Sequence, residues 1–241
     1  PLVPELGVWV LFAALIIFSV ITLLMLPFLN NYSLAELTAQ QERDKKALGS
    51  QIQYGPLLLT LISIFLFQAA NMALYAFIIG LGRSSGLSIE FISPTLGAAA
   101  WIAMAGSMLV VVLSIRFGRF LPLFLGTLLT LVGTFALHFS EVPWIFWVAN
   151  VGVGITWAFV IPYLLGMSAA FDISGQMAAA GGFASKMGLA SGPMVAAFLL
   201  QGENYGPMIN GAVIALFLCL ITAVIPAVML DRRQAAKAVL V

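Results

Sequence analysis

The chain has 241 residues, of which 62% are hydrophobic and 8% charged, and its formal net charge is +1. Soluble domains carry about 25% charged residues, so a water-facing globule is excluded, and no basic run offers a nucleic-acid-binding patch. A bundle facing lipid tails needs almost no charge, and the mean hydropathy of +1.11 places nearly all of the chain in a bilayer.

A helix crosses the hydrocarbon core with about 20 mainly apolar residues. Seven stretches meet this length, at residues 4–29, 54–81, 91–115, 120–139, 142–170, 177–201 and 206–230. They are continuous apolar runs, whereas barrel strands alternate over about ten residues. The expected fold is therefore all-α, a polytopic membrane bundle of seven transmembrane helices. The first span, within residues 1–29, lacks the basic leader of a signal peptide. Residues 30–53 form the one long polar loop. Within it, residues 34–48 have the composition of either an amphipathic surface helix or a solvated linker. Six spans follow over residues 54–230, then a polar tail over 231–241. The chain begins with Pro1, and we expect it to be part of a longer protein.

Basic residues set the orientation, because short cytoplasmic loops retain Lys and Arg. Arg43, Lys45, Lys46, Arg116, Arg119, Arg232, Arg233 and Lys237 fall on one side, and only Arg83 on the other. The amino terminus is thus expected outside and the carboxyl terminus in the cytoplasm, in a plasma membrane of the bacterial inner type.

Within the spans, polar residues cluster on faces. Gln68, Asn71 and Tyr75 stand at i, i+3 and i+7 of the second span. Lipid offers them no hydrogen bonds, so their face is expected to turn inward and line a cavity. Asn150, Gly154 and Trp157 share a face of the fifth span in the same way, and for both sets the alternative is that the buried polar groups simply bridge helices. In the sixth, Gly181, Ser185, Gly188 and Gly192 form a small-residue stripe of the kind that lets helix backbones approach closely. Pro162 and Pro193 are candidate bends.

Lys186 is the only charged side chain deep within a span. A lysine near a bilayer centre costs about 2.5 to 3.5 kcal/mol on insertion scales, and such residues usually face a protein interior or water. No Asp or Glu lies deep inside the spans to pair with it, so its counter-charge is expected from an anionic substrate, from an acid outside this chain, or from neither if desolvation discharges it. The single Cys219 has no disulfide partner, and the single His138 no metal-ligand spacing. We expect no cofactor, no metal and no enzymatic activity.

Taken together, these features resemble the carboxyl-terminal part of a major facilitator superfamily transporter. One span precedes the long polar loop and six follow it, as in that family's sixth to twelfth helices. Arg116 and Arg119 are explained on their own as interfacial anchors; with Gly118 they also look like part of the family's short basic cytoplasmic gating motif, D-R-x-G-R, with Ile115 standing where the motif's acid is expected and Val111 where its leading glycine would be. The small-residue sixth span is similar to the family's eleventh helix. What the resemblance implies is secondary active transport of a small solute, by alternating access around a midplane site. The missing amino-terminal half would be a partner, and proton coupling a source of energy. Lys186 makes an organic anion the expected substrate class, with Gln68, Asn71, Tyr75, Asn150 and Trp157 beside it in binding or coupling. Two alternatives compete. One is a complete seven-helix transporter or facilitator acting as an oligomer, against which no repeat relates the first three spans to the last three. The other is a retinal-type receptor, whose Schiff-base lysine would stand in the seventh span rather than the sixth.

Overall fold

The computed structural model describes residues 9–25, 53–114, 116–171, 176–200 and 202–239. The chain divides into two units, Pro1–Ser50 and Gln51–Val241. In the first, α1 (Trp9–Met25) is a helix whose described side chains are mostly exposed and apolar. The possible amphipathic helix at residues 34–48 lies outside the described residues.

Among the described residues the second unit contains six α-helices, α2 (Tyr54–Ser84), α3 (Ile89–Leu113), α4 (Phe120–Ala136), α5 (Pro143–Ala170), α6 (Gln176–Leu199) and α7 (Gly206–Val239). A 3-10 turn, Leu137–Phe139, extends α4. There is no strand among the described residues. Five of these helices, all but α6, are long and apolar enough to cross a membrane, which makes the chain an integral membrane helix bundle. α6 has 24 residues, about 36 Å at 1.5 Å per residue. Its Gly, Ala and Ser content together with Lys186 lowers its apolarity rather than its length. α7 does not stop at the expected span end but continues through the tail to Val239.

Local chemistry explains the helix ends. After α2, Gly86 adopts φ +82° while the Leu87 N–H reaches the Gly82 carbonyl at 3.0 Å, a left-handed reversal that leads directly into α3. Pro143 opens α5 at a position where its missing N–H costs nothing. The last turn of α3 is closed from another helix, since the Tyr163 hydroxyl donates to the Ser114 carbonyl at 2.6 Å.

Packing follows a regular scheme. The most extensive interfaces join α2 with α6 and α3 with α5, followed by α2 with α7 and α4 with α5, while α4 also packs on α7. Exchanging α2, α3 and α4 for α5, α6 and α7 carries α2–α6 onto α3–α5 and α2–α7 onto α4–α5, and returns α4–α7 to itself. Three helices per set leave the second set running opposite to the first. This relation lies within the six-helix unit, not between the first and last three spans. The core between the helices is apolar and holds the wholly buried Ile64, Phe67, Phe146, Leu164, Met167 and Leu216. Large apolar side chains such as Trp101, Val111, Phe183 and Phe198 cover the outside, as lipid contact requires.

Candidate functional site

A cavity of about 420 Å³ opens between α2, α3 and α5. Its α2 wall carries Asn71 and Tyr75, and its α5 wall carries Asn150, Gly154 and Trp157. The α3 wall is made of small residues, chiefly Ala99, Ala100 and Ala103. Close backbone approach makes that wall possible. A methyl group on Gly154 would stand 3.3 Å from the Ala103 Cβ and 3.4 Å from the Ala99 carbonyl oxygen, and one on Gly106 would collide with the Ile155 carbonyl.

Side chains from three helices meet beside the cavity. The Trp157 indole N–H donates to Gln68 Oε1 at 2.7 Å, and Gln68 Nε2 donates to Ser185 Oγ at 2.8 Å. Gln68 is thus buried with both ends of its carboxamide engaged. The Tyr75 and Trp157 rings stand edge to face, with centroids 6.1 Å apart and planes at 71°. Such aromatic pairs contribute about 0.5 to 1.5 kcal/mol beyond the area they bury.

The two asparagines share another feature. Asn71 Nδ2 donates to the Phe67 carbonyl at 2.8 Å and Asn150 Nδ2 to the Phe146 carbonyl at 2.7 Å, each four residues back on its own helix. Turning either carboxamide over would set two oxygens against each other, so these bonds fix the oxygens as the remaining acceptor ends. Asn71 is only 2% exposed, and its Oδ1 is buried without a hydrogen-bond partner.

The small-residue stripe of α6 lies against its neighbours. A methyl group at Gly188 would come within 2.5 Å of the Phe65 carbonyl oxygen, and one at Gly192 would strike the Ala69 carbonyl. Gly181 sits at the junction with α5, where an added methyl would strike Ser168. Ser185, between them, accepts from Gln68. Lys186 is exposed on another face of α6, between Phe183 and Met187, and is not among the residues lining the cavity. The structure therefore brings together Gln68, Asn71, Tyr75, Asn150 and Trp157 but not Lys186.

At the far end of α3 and α4, Arg116 is exposed and Gly118 has φ +71°, a backbone region that favours glycine. An acid does reach this turn, although not from the expected neighbouring position. Asp231 of α7 accepts the backbone N–H of Arg119 at 2.7 Å and that of Phe120 at 2.9 Å, capping the first turn of α4. The Arg119 guanidinium lies 3.9 Å from Asp231 and donates to Gln234 at 3.1 Å. A side chain on Gly118 would meet Asp231 Oδ2 at 2.6 Å, so glycine is required twice over. Ile115 lies outside the described residues.

Two features of the site escaped the sequence. The α3 wall left a signal in the run GAAAWIAMAG at residues 97–106, whose small residues recur on the face toward α5. Asp231 had only its position at the end of the last apolar run to mark it. No group of three or more His, Cys, Asp or Glu suited to a metal occurs among the described residues, and Cys219 is buried. Neither a protein-family model, nor a curated protein, nor a solved structure matches the chain.

Proposed function

We propose that this chain forms one helix bundle of a secondary active transporter that carries a small solute by alternating access, in the manner of the major facilitator superfamily. The observation that carries the proposal is the cavity between α2, α3 and α5, to whose lining Asn71 and Asn150 contribute, the Asn71 oxygen being buried without a partner beside it. Ligand sites are concave, mostly apolar and furnished with a few placed polar groups, and a buried polar atom without a partner is the exception that calls for a reason.

Two further observations support it. The exchangeable pairing of α2–α4 with α5–α7 is the arrangement that inverted three-helix repeats produce, and transporters built on such repeats bind at the repeat interface. Lys186 stands about 2 Å from the midpoint of α6 along its axis. An ammonium at that depth is not left against lipid, so its face of α6 meets water or protein. A second bundle of the same protein would supply that protein and complete the transport path. In this proposal the basic ends of the helices face the cytoplasm of a cell whose inner membrane holds the protein, and a proton gradient drives transport.

The test compares cells expressing the full-length protein with cells expressing its Trp157→Ala variant, by untargeted mass spectrometry of small solutes. The wild type is expected to change the internal level of at least one solute, and the variant to lose that change at equal membrane abundance. Identical solute profiles with and without the wild-type protein would sink the transporter proposal.

A further inference from the structure

We infer that the cavity takes an uncharged compound that carries a hydrogen-bonding group on a flat apolar body, an aromatic amide being the simplest example. This rests on the proposal that the cavity is the solute site, and it departs from the organic anion expected of Lys186.

The charge class follows from the walls. No Lys, Arg, His, Asp or Glu lines the cavity, and Lys186 is exposed on another face of α6. A carboxylate entering such a space would lose its hydration and find no counter-charge, a loss that buried ions do not tolerate unpaired. An ammonium meets the same objection, which the Tyr75 and Trp157 rings offset only in part.

The hydrogen-bonding class follows from how the donors are used. The Trp157 N–H is engaged by Gln68, and the Gln68 amide by Ser185. Asn71 and Asn150 each direct an amide N–H to a carbonyl of their own helix, which leaves their oxygens as acceptors. The lining thus offers the Asn150 oxygen as an acceptor together with unused donors, the second amide hydrogens of Asn71 and Asn150 and the Tyr75 hydroxyl. A ligand carboxamide, which both donates and accepts, matches this mixed lining without bringing a charge. The shape class follows from Tyr75 and Trp157, a perpendicular ring pair against an alanine wall, which accepts a flat ring on its faces.

Three radiolabelled probes of one ring system and three charge states separate these classes: indole-3-acetamide, indole-3-acetate and tryptamine. Equilibrium binding is measured on the full-length protein purified in detergent, and counterflow of the amide on the same protein in liposomes. The amide is expected to bind at least about tenfold more tightly than either ion, the worth of one good hydrogen bond. Asn71→Leu and Asn150→Leu are each expected to weaken it several-fold, with melting temperatures reported alongside so that misfolding is recognised. Absent binding of the amide overturns the inference, as does preferential binding of tryptamine. Tighter binding of indole-3-acetate that is lost in Lys186→Gln overturns it in favour of the anion. Selective binding of the amide without counterflow upholds the ligand class and removes the transport proposal instead.

Discussion

Gln68 engages both ends of one carboxamide across two helix interfaces, accepting from Trp157 of α5 and donating to Ser185 of α6. Replacing it with leucine leaves the indole N–H and the Ser185 hydroxyl unsatisfied, each at a cost of about 1 to 3 kcal/mol when buried. Gln68→Leu is expected to lower the melting temperature measured in detergent by more than Ser185→Ala, which removes only one of the two bonds. An equal effect would show that the two bonds are not both carrying load. Spacing alone places Gln68, Asn71 and Tyr75 on one face, because the helix period fixes it. Their partners are not legible that way, since which residue of α6 meets Gln68 depends on helix rotation and register. Lys186 shows the same limit. Its separation from the packing stripe follows from the helix period, but what covers the remaining faces is a property of the neighbours.

At the scale of elements, the α2–α6 contact depends on the absence of side chains. Gly188→Leu and Gly192→Leu each push a bulky group into a backbone carbonyl of α2, and overpacking of this kind costs about 1 to 3 kcal/mol or more. Both variants are expected to reduce the yield of monodisperse protein in size-exclusion chromatography. Gly182→Ala, where nothing lies within 4 Å of the added methyl, is expected to leave it unchanged. The start of α4 depends instead on a cap borrowed from α7. Asp231→Ala removes an acceptor from two backbone N–H groups at a helix N-terminus, a loss of about 0.5 to 2 kcal/mol. Amide hydrogen exchange at Arg119 and Phe120 is expected to quicken in this variant, while exchange in the middle of α5 stays slow. Helix boundaries were largely legible because apolar runs stop at Arg83–Gly86, at Gly118 and near Pro143. The tail was not, since α7 continues past its apolar stretch into a segment held by Asp231 and Gln234.

At the scale of the molecule, the fold class was legible from composition because a chain with so few charges has no alternative to lipid. The proposed orientation is tested with a membrane-impermeant maleimide applied to intact cells. Arg83→Cys is expected to react and Arg116→Cys to react only after permeabilisation, and the opposite pattern would invert the topology. The exchange relation among the six helices had no counterpart in the sequence, since pairing depends on which faces touch rather than on repeated residues. The bundle's two most extensive contacts clamp α2 to α6 and α3 to α5, with α7 packed on the first pair and α4 on the second. The cavity occupies the seam between them. Within each pair the backbones touch, at Gly188 and Gly192 against α2 and at Gly106 against α5, whereas side chains bridge the seam between the pairs. The Gln68–Trp157 hydrogen bond crosses that seam at 2.7 Å, so a widening of the seam at this level would have to stretch or release it.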